Sequence, residues 1–215
     1  MTNRCLFAIN RLLKPPARTK VVCRIFISFP ICYTTQAMKQ ARAIVLIDGS
    51  NFYFKLKDLG FSHLLNFDFS GFATLLAGSD RLIQATYYIG AVRTDGTEKT
   101  KKLLADQQRL FVHLKKHHFA YSLGYLLRSK GVFHEKGVDV KIAVDMLVAA
   151  YENLCDRIIL VSSDTDLIPA IEKAREKRKT VEYIGFSHQL SFAMKRECSK
   201  THILAKKDLM PLMLS

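Results

Sequence analysis

The sequence predicts an α/β protein in which helices cover both faces of a central, mainly parallel sheet of about five strands. Residues 43–47 form an unbroken apolar run, and the polar turn residues Asp48-Gly49-Ser50-Asn51 follow it directly. A second apolar run, 158–161, follows Arg157 and leads into Ser162-Ser163-Asp164. Unbroken apolar runs of this length suit strands that are buried on both faces, as in the middle of a parallel sheet. Helical and strand patterns alternate around these runs, which is typical of such a sheet.

Helices are predicted where apolar residues recur at helical spacing between start and stop signals, and strands where β-branched and aromatic residues cluster. Between the two runs we expect a helix over 51–59, a helix capped by Asp68 and ending at Ala77, a strand over 81–92, a helix over 97–118, a strand over 119–127, a polar loop over 128–137 and a helix opened by Asp139. After the second run we expect a helix over 165–178, a strand over 180–184 and a helix over 189–197, while 202–214 fits either a short strand or a helix.

The connections between parallel strands indicate which strands lie side by side. Such connections are right-handed, so a chain that winds one way through three strands and then returns places its first and fourth strands together. The runs 43–47 and 158–161 would then be neighbours. Ligands bind at this kind of switch point, outside the carboxyl ends of the strands. We therefore expect Asp48 to face Asp164 and Asp166 across one edge of the sheet.

Four aspartates are predicted at this edge, in loops or at helix starts: Asp48, Asp139, Asp164 and Asp166. Two carboxylates about 5 Å apart repel each other by roughly 3 kcal/mol at an effective dielectric constant near 20. Such a cluster either takes up protons or holds a cation. Oxygen ligands without Cys or His favour Mg²⁺ or Mn²⁺, and a water retained on such an ion can attack a phosphate. These four residues are the candidate metal ligands and catalytic residues.

Three further residues are candidates for supporting roles, namely Asn51, Ser162 and Asp145. Asn51 and Ser162 would orient ligands or waters, or would only satisfy the backbone of a turn. Asp145 lies six residues beyond Asp139, off its helix face, and fits a supporting or a purely structural role equally. Each acid has a simpler interpretation as well, as a turn residue or a helix N-cap. Their joint occurrence on one predicted edge favours the functional interpretation.

The chain is strongly basic. Its 215 residues include 33 Lys and Arg against 19 Asp and Glu, a formal net charge of +14. Such a balance suggests an anionic partner such as nucleic acid. Seven of the cations and none of the acids lie in residues 1–40, so the remainder holds half of the excess. A basic group precedes Asp139 and is the candidate contact for a phosphate backbone: Arg128, Lys130, His134 and Lys136.

Residues 1–40 differ in character from the rest of the chain. Pro15-Pro16 interrupts any helix there, and the apolar run 21–33 contains Arg24 and is too short to cross a membrane. A secretory signal and an organelle transit peptide are two interpretations of this basic segment. We favour a third, a disordered or mis-assigned N-terminal extension, with translation beginning at Met38 directly before the first strand.

Other protein classes lack their expected patterns. The five cysteines show no CxxC pair and no zinc-site spacing, which indicates reduced thiols in a cytoplasmic protein. No GxGxxG follows a strand, so a dinucleotide oxidoreductase is disfavoured. The first strand is followed by Asp48-Gly49-Ser50, neither the Asp-x-Asp of haloacid-dehalogenase phosphatases nor the Glu of topoisomerase-primase domains.

Three motifs together resemble the NYN domain, in the LabA-like branch of the PIN-like nuclease superfamily. The resemblance covers about residues 41–205 and leaves 206–215 as a C-terminal tail. It departs from the family at Ser163, where many members have Gly, and at Arg178-Lys179, where a Gly often precedes the basic residue. The motifs stand in the family's order and are Ile47-Asp48-Gly49-Ser50-Asn51-Phe52-Tyr53, Lys136-Gly137-Val138-Asp139-Val140 with Asp145, and Leu160-Val161-Ser162-Ser163-Asp164-Thr165-Asp166-Leu167-Ile168-Pro169.

The resemblance implies a three-layer α/β/α Rossmann-like, PIN-like fold and metal-dependent cleavage of RNA by clustered acids. The resemblance is carried over motif by motif. Asp48 takes the family's acidic position after the first strand, and Asp139 takes the acidic position that opens the middle helix. Asp164 and Asp166 take the pair of acidic positions after the fourth strand. The expected function is a ribonuclease that uses Mg²⁺ or Mn²⁺ on single-stranded RNA, without a membrane partner. A non-catalytic module that binds RNA or serves regulatory protein interaction is the alternative, and a homodimer stays open.

Overall fold

The computed structural model describes residues 40–61, 63–129 and 132–214, with the backbone alone for 126–129 and 132–135. The extension predicted over 1–40 therefore lies outside the described residues, apart from Gln40. The strands are β1 (Arg42–Asp48), β2 (Arg81–Gly90), β3 (Ala120–Ser129), β4 (Val132–Lys136), β5 (Arg157–Val161), β6 (Thr180–Phe186) and β7 (Lys200–Leu204). The helices are α1 (Gly49–Asp58), α2 (Phe69–Ala77), α3 (Glu98–Lys116), α4 (Val138–Tyr151), α5 (Ile168–Glu176), α6 (Phe192–Glu197) and α7 (Lys206–Leu209), with 3₁₀ turns at Leu64–Asn66, Thr165–Leu167 and Met210–Leu212.

The strands form one sheet in the order β4-β3-β2-β1-β5-β6-β7. Every neighbouring pair is parallel except β3 and β4. The chain winds from β1 outwards to β3 and returns for β5, so β1 and β5 are neighbours. The predicted fold class and the predicted switch point between these two strands are confirmed.

Strand β1 is buried on both faces because its side chains alternate between two apolar layers. Ala43, Val45 and Ile47 pack on one face with the phenylalanines around α2 and the inner side of α3. Ile44 and Leu46 pack on the other face with the inner sides of α4 and α5. None of the five is more than 7% exposed. The three layers of the fold follow from this double burial, as the apolar run predicts.

The sheet is larger than predicted, and the predicted polar loop over 128–137 is wrong. Residues 128–129 end β3, and residues 132–136 form β4. Strand β3 pairs with β2 as far as Gly124 and beyond that point pairs with β4 alone, as a two-stranded ribbon. A ribbon outside the parallel sheet has no long apolar run, and charged residues are typical of an edge strand, so the sequence signal there is weak. The residues left open at the C-terminus form β7 and then α7.

The last described residues pack against the domain. Leu209 is fully buried in the layer that contains α2. The Asp68 N–H donates to the Leu212 carbonyl at 2.7 Å, and the Leu214 N–H donates to the Asn66 carbonyl at 2.6 Å. The 206–214 segment therefore covers the start of α2.

An ion pair joins β1 and β5 at the edge of the sheet opposite their carboxyl ends. The Arg42 guanidinium donates from Nε to Asp156 Oδ2 at 3.1 Å and from Nη2 to Oδ1 at 3.0 Å, and the Arg42 N–H donates to Oδ2 at 2.9 Å. Asp156 directly precedes β5. These hydrogen bonds lower the pKa of the Asp156 carboxyl to about 2. The pair fixes the register of the two strands, and hence the level at which their far ends meet.

We expect Asp156→Asn to lower the free energy of unfolding at neutral pH by about 1 kcal/mol, a value limited by the partial exposure of the pair. The folded-state pKa lies below the unfolded value of about 3.9, so the pair stabilises the fold above that pH. Its contribution is lost as the pH falls through the folded-state pKa of about 2. Urea unfolding of both chains over a pH series should show the difference shrinking in acid. A difference that stays constant with pH would contradict this origin.

Candidate active site at the carboxyl edge of the sheet

Asp48 lies at the carboxyl end of β1 and is the N-cap of α1. Only 5% of its surface is exposed. Its Oδ1 accepts the Asn51 N–H at 3.0 Å, and its Oδ2 accepts the Ser162 hydroxyl at 2.9 Å. The carboxylate is thus held in one position by hydrogen bonds from two different strand ends.

Ser162 connects the ends of β1 and β5. It is 2% exposed, and its Oγ donates to Asp48 while accepting the Asp164 N–H at 3.1 Å. Asp164 Oδ1 in turn accepts the Asp166 N–H at 2.9 Å. Asp164 is also the N-cap of the 3₁₀ turn that directly precedes α5. The Ser162 hydroxyl therefore links the Asp48 carboxylate at the end of β1 to the backbone of Asp164 after β5.

A cleft of ≈ 310 Å³ lies at this edge of the sheet. Three of the four predicted acids line it, each from a different part of the chain. Because Gly137 adopts a φ of +80° at the N-cap of α4, the chain turns sharply there and Asp139 falls in the helix's first turn. A Cβ at Gly137 would lie 2.9 Å from the Tyr125 ring, so a larger residue would displace this turn. The lining residues are Asp48, Ser50, Asn51, Phe54, Gly137, Val138, Asp139 and Asp164.

Two of the predicted residues stand apart from the cleft. Asp166 is exposed and does not line it; its N–H, not its carboxylate, contacts Asp164. Asp145 accepts the Tyr88 hydroxyl on Oδ2 at 2.7 Å. Tyr88 is buried in β2 beside Asp48, and burial raises the pKa of its phenol, as does the bond to Asp145. Asp145 therefore ties α4 to the sheet.

The predicted phosphate contacts fall on the ribbon of β3 and β4. Lys136 is exposed and stands directly before Gly137 at the cleft. The side chains of Arg128 and His134, and the whole of Lys130, lie outside the described residues. The backbone of β4 leads the chain back to the carboxyl edge, where α4 begins.

The donor chemistry of the cleft fits a hard divalent cation. Carboxylate, amide and hydroxyl oxygens line it, with no Cys or His among the lining residues. In residues 40–61, 63–129 and 132–214, no group of three or more His, Cys, Asp or Glu side chains is arranged to hold a metal ion together. Mg²⁺ is commonly held by one or two carboxylates and keeps several waters. The donor set is therefore suited to a hydrated ion more than to a closed protein cage.

Sequence reasoning missed two residues of this site. Phe54 is 58% exposed and is the one aromatic residue among those that line the cleft. It lies three residues after Asn51, one helical turn along α1, and that spacing is the signal that could have placed it. The sequence indicates only a turn at Gly49. In the structure a Cβ at this position would lie 2.4 Å from the Tyr87 ring, and the Tyr87 hydroxyl donates to the Gly49 carbonyl.

Together these features define an α/β protein with an acid-lined cleft at the switch point of a parallel sheet. The chain belongs to the NYN domain family, which matches residues 42–205. No curated protein matches the sequence significantly. Within the described residues no helix is both long enough and apolar enough to cross a membrane.

Three solved structures are similar to this chain, and the first of them shares its fold. A protein of unknown function from Vibrio parahaemolyticus is similar at 22% identity with a TM-score of 0.59, over 79% of this chain and 96% of that one. A flap endonuclease of bacteriophage T5 with DNA and metal ions matches at 19% identity and a TM-score of 0.33, over 59% of this chain and 50% of that one. The T5 5′-exonuclease with bound zinc matches at 18% identity and a TM-score of 0.35, over 72% of this chain and 60% of that one.

We expect Ser162→Ala to lower the free energy of unfolding by about 2 kcal/mol, because it leaves the buried Asp48 carboxylate without one of its donors. Urea unfolding at neutral pH measures the change. Ser163→Ala is the matched control, since the Ser163 hydroxyl contacts the Tyr183 hydroxyl at 3.2 Å and no carboxylate. Equal effects of the two substitutions would contradict a stabilising contribution of the hydrogen bond between Ser162 and Asp48 to the free energy of unfolding.

Proposed function

We propose that the protein is a metal-dependent ribonuclease that hydrolyses RNA phosphodiester bonds at the carboxyl edge of its sheet. The observation that carries this proposal is that Asp48, Asp139 and Asp164, from three separate elements of an NYN domain, line one cleft. The proposal includes membership of the LabA-like branch, which the three motifs together resemble.

Asp48, Asp139 and Asp164 would hold Mg²⁺ or Mn²⁺, with Asp166 as an outer carboxylate of the same site. The ion, when bound, would lower the pKa of a water and offset the charge that develops on the phosphate. A bare acidic cleft repels a phosphodiester, so a cation is also needed for the substrate to approach at all.

The chain's own groups prepare the position of the scissile phosphate. Helices α1 and α4 both begin at the cleft, and their N-terminal backbone N–H groups favour an anionic group there. The Ser162 hydroxyl fixes Asp48, and the Asn51 side chain lies in the lining, where its amide can donate to a phosphate oxygen. These contacts orient the reacting groups without further movement of the chain.

Single-stranded RNA is the proposed substrate. Phe54 presents an exposed ring in the cleft, and unpaired bases stack on such rings. A base held in a duplex has no free face for this contact. Lys136, exposed beside Gly137, supplies positive charge on the approach to the acids.

We expect Asp48→Asn and Asp164→Asn each to lower the rate of single-stranded RNA cleavage by about 100-fold or more, because each removes charge that would hold the ion. Cleavage is measured with Mg²⁺ or Mn²⁺, and EDTA should abolish it. Asp106→Asn is the matched control, since Asp106 is a surface residue of α3 paired with Arg109 at 3.2 Å. Unchanged activity in both site variants would overturn the proposal.

We expect Phe54→Ala to weaken binding of a short single-stranded RNA by about tenfold, since base stacking on an aromatic ring contributes roughly 1–3 kcal/mol. Phe54→Trp should retain the affinity. Fluorescence anisotropy with Mg²⁺ and a non-hydrolysable analogue of the RNA measures binding apart from cleavage. Phe192→Ala is the control, because Phe192 is 78% exposed and does not line the cleft. If Phe54→Ala binds as tightly as this control, Phe54 does not contact the bases.

A second candidate is a module of the same fold that binds RNA, or a regulatory protein, without cutting. The observation that favours it is that the described residues hold no three-acid metal group as they are placed. Both Asp48 oxygens also accept hydrogen bonds from the chain itself. This candidate predicts salt-sensitive RNA binding that survives EDTA and yields no product.

A further inference from the structure

Helix α4 carries an apolar stripe on its outer face. Val140, Val144, Val148 and Tyr151 are 65%, 50%, 40% and 57% exposed. They follow one another at spacings of four, four and three residues, so they form one continuous row along the helix. Within the described residues the three valines are left open to solvent, while the Lys177 ammonium lies over the Tyr151 ring at 4.2 Å from its centroid.

Helix formation and the core do not account for the stripe. The opposite side of α4 supplies its core contacts, through residues such as Ile142 and Met146, which are fully buried. Valine is a poorer helix former than Lys, Glu or Ala, so three exposed valines weaken the helix. A surface helix ordinarily has one apolar side and one polar side. Contiguous exposed apolar surface of this kind marks an interaction site.

Charges of opposite sign flank the stripe on one side. Lys141 lies near the start of α4 and Glu152 is its C-cap, and both are exposed. At 100° per residue they project within about 20° of each other, on the same edge of the stripe. Eleven residues separate them, or ~16 Å along the helix. Asp145 projects to the same side but is bonded to Tyr88.

We propose that this stripe is the interface of a homodimer, in which α4 packs against α4 of a second copy in antiparallel orientation. In an antiparallel pair related by a two-fold axis, the same edge of each helix faces its counterpart. The centre of the stripe lies between Val144 and Val148, so Lys141 would meet Glu152 of the partner subunit, and the reverse contact would form as well. A parallel pair would instead place the two Lys141 residues at one level.

A single helix pair is a small interface, so the dimer is expected to be weak, with a Kd of about 1–100 μM. The proposal concerns a surface outside the acidic cleft and does not depend on the proposed nuclease function. Val140 follows Asp139 directly, so each cleft would open beside the interface.

Sedimentation equilibrium of the full chain at concentrations up to about 200 μM tests the dimer, which has twice the 24.5 kDa mass of one chain. We expect Val144→Glu to weaken association at least tenfold. Val112→Glu is the matched control, because Val112 is 69% exposed on α3, on the other side of the sheet. A monomer at every concentration, or equal dimers in the two variants, overturns the proposal.

A charge swap tests the orientation. K141E and E152K should each weaken the dimer, since each places like charges opposite one another, and the double variant K141E/E152K should restore it. Circular dichroism confirms that each variant is folded. Failure of the double variant to restore association overturns the antiparallel pairing. Association through another face would leave all three variants unchanged and would also overturn it.

Discussion

The structure depends on the burial of a carboxylate at the end of a strand that is itself buried on both faces. Asp48 has 5% of its surface exposed, and a charge in that position is tolerated only if each oxygen has a donor. The two donors come from the start of α1 and from the end of β5. The hydrogen bonds of this one side chain therefore link the start of α1, the pairing of β1 with β5 and the position of the cleft.

The fold follows from the same arrangement. Strand β1 can be buried on both faces only if helices cover both faces of the sheet. Ser162 can lie beside the end of β1 only if β5 is the neighbouring strand. At the other end of the two strands, Arg42 and Asp156 hold the register. The acidic cleft is thus positioned by contacts at two edges of the sheet, one beside the cleft and the other at the opposite ends of the same strands.

The sequence predicted what burial decides. The runs 43–47 and 158–161 are apolar throughout, and their strands, order and carboxyl ends were placed correctly. Strand β3 was predicted as well, but β4 and its pairing with β3 were not, because this short, polar edge strand has no apolar run that the sequence could show. The acids that line the cleft could be predicted from motif and spacing. The spacing also puts Phe54 one helical turn beyond Asn51, but the exposure of its ring in the cleft depends on the tertiary structure. The hydroxyl of Ser162 could be named as a candidate, while its two partners depend on the tertiary structure.

The two-stranded ribbon has a consequence for how far the chain extends beyond the parallel sheet. Beyond Gly124 the five residue pairs of β3 and β4 extend past the sheet for ~17 Å before the chain returns to α4. Its length is independent of the core, because no other strand pairs with it there. Insertion or deletion of matched residue pairs would lengthen or shorten this arm while the acids stay in place. The reach of this arm can therefore vary while the sheet that holds the acids stays the same.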